Sequence, residues 1–157
     1  MQASEFLDDD YDNEEDEDTQ KGRFLTFRMG EEDYGIEIRQ ITEIVGMQRI
    51  TKVPDSPEYV KGVINLRGQV LPVTDLRLRF GMDSRDYDER TCIVVVQVRD
   101  SHVGLIVDTV NEVVDIPDER ISEPPASAKG TQNGFLIGMG RLEERVVMLL
   151  NMENVLA

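Results

Sequence analysis

Short apolar runs, broken by glycine, proline and acidic turns, divide the chain into many strand-length pieces. FLTFRM (24–29) and CIVVVQV (92–98) are β-rich; each meets a polar turn (GEED, RDSH) and then a glycine-bearing second strand (YGIEI, VGLIV). Ile93, Val94, Val95, Val96 and Val98 make a β-branched run suited to a strand covered on both faces. The spacing of Ile38, Ile41, Ile44 and Val45 fits a turn or two of helix or a twisted strand. KGVINLRGQVLPVTDL (61–76) reads as two strands hinged at Arg67-Gly68, followed by a helical end with Asp75 as its N-cap. Pro72 brings no amide donor, which predicts an edge strand or a bulge there.

The pattern occurs twice. Residues 24–45 lie over residues 93–114 at an offset of 69, placing Gly35 on Gly104, Ile41 on Val110, Glu43 on Glu112 and Ile44 on Val113. Residues 61–76 lie over IGMGRLEERVVMLLNM (137–152) at an offset of 76, with Gly62 on Gly138, Val70 on Val146 and Asp75 on Asn151, a second N-cap. Two halves built alike predict two similar modules, here residues 22–90 and 91–157, with strand exchange between them an option. Many short strands with Gly and Pro punctuation predict a mainly β fold of sandwich or barrel type. Halves of this size are marginal alone, so the modules are expected to share an interface and, with it, a groove.

Charge changes the picture at one end only. Residues 1–20 hold ten of the 32 acidic residues and no Lys or Arg; the remaining 22 acidic and 17 basic residues leave a net of −5. Such a block repels itself and has little to bury, so residues 1–21 read as a disordered acidic arm. Asp8, Asp10 and Asp12 alternate as in a calcium loop, but the positions that need glycine and glutamate hold Asn13 and Thr19, and no metal is expected. An acidic body without clustered Lys and Arg argues against nucleic acid. No signal peptide and no apolar stretch of roughly 20 residues is found, so a cytoplasmic protein without direct membrane insertion is expected.

Candidate chemistry is sparse. One cysteine (Cys92) in an apolar run reads as a buried inert thiol, and one histidine (His102) reads as a solvated turn residue. Together they cannot make a His/Cys zinc set, and His102 is the only histidine available as a base for a nucleophile. Gly138-Met139-Gly140 lacks the third glycine of a dinucleotide fingerprint and precedes a strand. Glu143-Glu144 reads as a solvated hairpin turn. No catalytic residue and no cofactor is expected. Arg67 is then a solvated turn residue, a structural arginine paired with a carboxylate or carbonyls of the other module, or a binding arginine beside an apolar groove. Its repeat counterpart, Glu143, shows that the hairpin itself does not demand a base there.

The strings DYGIEIRQITEIV, VPDSPEYVKGVINLRGQVLPVTDLRLRFG, VVVQVRDSHVGLIVDTVNEVV and GMGRLEERVVMLLNMENVL resemble the CheW family of bacterial chemotaxis coupling proteins, over residues 23–157. The resemblance implies two five-stranded SH3-like barrels packed side by side with short helices. It implies a non-catalytic adaptor that couples the cytoplasmic tips of methyl-accepting chemoreceptors to the regulatory domain of the histidine kinase CheA, recruited to membrane-bound receptor arrays. A receptor helical hairpin would sit in the apolar groove between the barrels. Carried over by position, the receptor contacts are Ile41, Glu43, Ile44, Lys61, Gly62 and Arg67. The same domain occurs within CheA and CheV; the length here matches a stand-alone adaptor. The competing readings are a small β-barrel enzyme or ligand-binding protein using the cleft, and a coupling subunit of a non-swimming chemosensory pathway. The acidic arm is not part of the family's common core.

Overall fold

The computed structural model describes residues 20–125 and 134–157. The acidic block, with its Asp8, Asp10 and Asp12 spacing, lies outside them. Among the described residues, eleven strands form two sheets. The strands are β1 (Arg23–Met29), β2 (Glu32–Glu37), β3 (Ile41–Gly46), β4 (Val60–Leu66), β5 (Gln69–Asp75) and β6 (Cys92–Val98). They continue as β7 (Ser101–Val107), β8 (Thr109–Asp115), β9 (Ile121–Ser122), β10 (Leu136–Arg141) and β11 (Val146–Leu150).

One sheet has the order β3-β6-β7-β5-β4 and the other β8-β1-β2-β11-β10-β9. The repeat makes β1 to β5 the counterparts of β6, β7, β8, β10 and β11, so the two orders are the same apart from the two-residue β9. The sheets do not follow the halves 22–90 and 91–157. Each borrows its central hairpin from the other half, because the chain changes sheets at the same point of each repeat. The first change is a 3-10 turn, Ile38–Gln40, between β2 and β3; the second is the single residue Asp108 between β7 and β8. Parallel ladders then lock the traded hairpins in place, β2 on β11 and β7 on β5.

Irregularities repeat as faithfully as the strands do. The β3/β6 register shifts between Ile41 and Glu43, and the β1/β8 register shifts opposite the corresponding residues, Asn111 and Glu112. The β4/β5 and β10/β11 registers shift at Lys61 and Ile137, which are also equivalent. Bulges of this kind bend strands, as closing a small barrel requires. At one bulge the buried Thr26 hydroxyl donates to the Glu112 carbonyl (2.8 Å) and accepts from its amide (3.2 Å), serving the backbone that the bulge frees.

Alternation along the central strands feeds three cores. Ile93 and Val95 point into the first barrel with Ile64, Leu71, Val73 and Ile106. Phe24 points into the second with Ile116, Val147 and Leu149. The opposite faces, with Val94 and Val96 from one sheet and Leu25, Phe27, Met29 and Ile36 from the other, meet between the barrels. The run 93–96 is therefore buried on both sides, at about 1.5–3 kcal/mol for each fully buried side chain. Val98, at the strand's end, is half-buried.

Asp75 and Asn151 cap the one-turn helices Leu76–Arg79 and Met152–Val155, accepting from the amides of Arg77 (2.9 Å) and Asn154 (3.3 Å). Of the two alternatives for Pro72, the bulge holds and the edge does not: the residue lies in an inner strand next to the β4/β5 register shift, and the β5/β7 ladder covers only Val73–Asp75, so its missing amide costs that ladder nothing. Two local expectations are corrected. His102 is the second residue of β7, opposite Gln97, because the turn before it is shorter than the polar run. Cys92 begins β6 and is half-buried, its thiol donating to the Arg90 carbonyl.

Candidate functional site

The edge strands β3 and β4 bring the carried-over residues to one seam, where the first sheet closes on itself. Thr51 and Val63 exchange backbone hydrogen bonds of 2.9 Å each, which ties the segment after β3 to β4. Gly62 makes this approach possible. Its φ is +146°, and a Cβ there would lie 2.1 Å from the Thr51 carbonyl oxygen. The absent side chain thus serves the chain's own closure.

β3 alternates between half-buried Ile41, Glu43 and Val45 and exposed Thr42, Ile44 and Gly46. Ile41 packs on the core between the barrels, while Ile44 is 43% exposed. Arg67 and Gly68, both at positive φ, form the two-residue turn between β4 and β5 that suits the twist of a hairpin. The Gly68 amide donates to the Asn65 side chain at 2.8 Å. From this turn the Arg67 guanidinium reaches across the seam to the Glu43 carboxylate. Arg67 is therefore no idle turn residue, and its carboxylate partner belongs to its own barrel. With its side chain 69% exposed, it keeps donors facing outward.

Sequence reasoning missed the same device on the second barrel. Glu112, the counterpart of Glu43, accepts from Arg145 at 2.9 Å. Arg145 stands two residues beyond Glu143, on the far side of the same hairpin turn, so matching by position passes over it. The signal lay in Glu43 and Glu112 falling on each other in the repeat with an arginine near each hairpin tip. Exposed apolar side chains recur too: Ile44 and Val70 on the first barrel match Val113 and Val146 on the second.

Beside the first seam the loop after β3 shapes an open cavity of about 520 Å³. Val53, Pro54, Pro57 and Val60 give it apolar walls, and Lys52 and Lys61 line it as well. Ser56 donates to the Val53 carbonyl at 2.7 Å, and Asp55 sits at φ 60°, which folds the loop back on itself.

Asp108 holds the crossover between the barrels. It accepts from Arg77 Nε (2.8 Å) and Nη2 (2.5 Å), from the Gly30 amide (2.8 Å) and from Arg85 (3.3 Å). Burial pushes its carboxyl up, but the Arg77 bonds, the Gly30 amide and the Arg85 charge outweigh that and hold it below the usual carboxylate range. The pair is nearly buried, with side-chain exposures of 14% and 11%. Its carboxylate touches the β1–β2 turn of one barrel, and Arg77 belongs to the helix that follows β5 of the other. Rings continue the connection: Phe27, Tyr34, Phe80 and Phe135 follow one another at 5.2–6.0 Å, and Arg79 lies over both Phe135 and Tyr59.

A model of the CheW-like domain matches residues 23–157. The Chemotaxis protein CheW of Klebsiella aerogenes is 37% identical over 134 residues, covering 85% of this chain and 81% of its own length. The protein of the same name from Rhizobium meliloti is 36% identical over 138 residues, covering 87% and 89%. Among solved structures, the scaffolding protein TtCheW of Thermoanaerobacter tengcongensis superposes with a TM-score of 0.77 at 34% identity, over 83% of this chain and 88% of that one.

Proposed function

The chain belongs to the CheW-like family and is a chemotaxis coupling adaptor, and from that premise we propose that it joins the cytoplasmic tips of methyl-accepting chemoreceptors to the histidine kinase CheA without turnover of its own. The observation that carries this reading is the pair of equivalent seams. Each presents an exposed aliphatic strand residue beside a Glu–Arg ion pair, on opposite members of a pseudo-symmetric pair of barrels. A molecule with two such faces suits two protein partners.

At the first seam the six carried-over residues divide the work. Ile44 offers an apolar seat, and Lys61 and the outward donors of Arg67 set register against a helical partner. Glu43 aims Arg67, while Ile41 and Gly62 hold the strands from beneath. Among the described residues no helix is long and apolar enough to cross a membrane. The adaptor would therefore work at the cytoplasmic face, reaching receptor arrays through the receptors themselves.

Co-sedimentation with receptor tips and kinase, with and without each partner, tests the proposal. Wild type should enter the pellet only as part of the complex, and Arg67→Asp should enter it with at least tenfold lower affinity while melting within a few degrees of wild type. A folded Arg67→Asp variant that joins the ternary complex at full affinity would remove Arg67 from the site.

A further inference from the structure

The cavity beside the first seam is lined by two lysines that stand without acidic partners. Arg23, Arg28, Arg39, Arg67, Arg77, Arg85, Arg99 and Arg145 each have a carboxylate at ion-pair distance. Among the described residues Arg49, Lys52 and Lys61, close together in the chain, have none; Lys21, Arg79, Arg90, Arg120 and Arg141, elsewhere in it, also have none. Glu58 also lines the cavity, yet neither lysine pairs with it. The cavity thus offers cationic groups around Val53, Pro54, Pro57 and Val60, with Val53 itself 42% exposed. Its volume is in the range of sites that seat a small ligand or a few side chains.

We propose that residues 5–18 of this same chain occupy that cavity, as an internal competitor for the face that carries Lys61. The chemistry matches on both counts. The segment holds ten carboxylates and no cation, and it carries Phe6, Leu7 and Tyr11 among them as apolar anchors. Reach is no obstacle: the 19 residues ahead of Gln20 can extend over about 60 Å. A body of this size is only about 40 Å across, from the usual scaling of the radius of gyration. A tether of this kind sets a local concentration on the order of millimolar, so even a contact with a Kd of about 1 mM is occupied about half the time. Opposite charges held by a few exposed groups give a weak, salt-sensitive contact of that order. A partner arriving at the first seam would have to displace the segment, a consequence that rests on the reading of that seam as a docking face; the intramolecular contact itself does not.

Amide spectra of the full chain test the contact without any partner. Between 50 mM and 500 mM NaCl, and again on replacing Asp8, Asp9 and Asp10 by Asn, shifts should concentrate at 49–62. Full-chain Lys52→Glu/Lys61→Glu should abolish both responses, and a synthetic peptide of residues 1–19, added to a chain lacking them, should restore the original positions. That truncation should leave the fold intact, since the first core residue among those described is Phe24. Shifts that scale with protein concentration would assign the segment to another copy, and shifts centred on Arg120 or Arg141 to another face; either result, or no shift at 49–62, overturns the proposal. With the contact confirmed, truncation should tighten binding of the receptor tips about twofold, since the free face is then always available. Unchanged binding alongside positive spectra would sink the docking role of the seam and leave the contact standing.

Discussion

The seam of the first barrel and the seam of the second are one device made twice, and they differ in where the arginine sits. Arg67 occupies the hairpin tip and spans to Glu43; Arg145 stands just past the tip and spans to Glu112. What the two halves share is the closure of a barrel edge by a Glu–Arg pair, and either side of the turn can supply the cation. The exposures run in opposite directions. Arg67 is the open member of its pair and Glu112 the open member of the other, at 69% and 62%. The first seam turns a guanidinium outward and the second a carboxylate, so the two faces present opposite charge to whatever meets them.

The glycines beneath the seams give the sharpest way to test how far the equivalence goes. Gly62→Ala places a Cβ against the Thr51 carbonyl at a φ that L residues rarely adopt, and should cost about 3 kcal/mol or more. Gly138→Ala meets Ile121 and the Ser122 carbonyl at 2.9 and 3.0 Å and should cost about 1–2 kcal/mol, both read by denaturant melts. Equal losses would mean that closure is equally tight in both barrels.

The crossovers should separate next. Asp108→Ala strands Arg77 in a nearly buried site and should cost about 3 kcal/mol. Its counterpart, exposed Arg39, pairs only with half-buried Glu37, and Arg39→Ala should stay within about 0.5 kcal/mol. Acid provides an independent reading of the same contrast. The Asp108 carboxyl has a lowered folded pKa, so its contribution is fully present above the unfolded value of about 4 and is lost as pH falls through the folded one. Asp108→Asn should be less stable at pH 7 and lose less than wild type between pH 5 and pH 2. Parallel pH–stability curves would contradict that.

The exposed pairs should give the smallest changes in stability. Arg67→Ala and Arg145→Ala should each cost less than about 1 kcal/mol. Their effects on co-sedimentation should diverge, since the two seams are proposed to meet different partners.

Local features were legible in the chain because their causes are local. The β-branched run 93–96, the caps at Asp75 and Asn151, and the turns at Arg67-Gly68 and Glu143-Glu144 all follow from residue type and near neighbours. The repeat also announced the duplicated fold. What stayed hidden depends on residues far apart in sequence. The exchange of hairpins is decided by the parallel ladders of β2 with β11 and β7 with β5, which leave no periodic mark. Gly62 could be read as open space until Thr51 was seen to fill it. Nothing near Asp108 in the chain marks it, and only the fold brings Arg77, Arg85 and Gly30 around it. Arg145 escaped notice because the device it completes is kept by geometry, with its position free to move.

The traded hairpins also set the order in which the molecule can be completed during synthesis. The first barrel has all its strands once β7 emerges, but β1 and β2, made before any strand in it, belong to the other sheet and must wait for β8 and finally β11. Phe27 and Met29 are therefore among the first apolar side chains to leave the ribosome and among the last to be covered on every side. The earliest-made hairpin is the one most in need of protection.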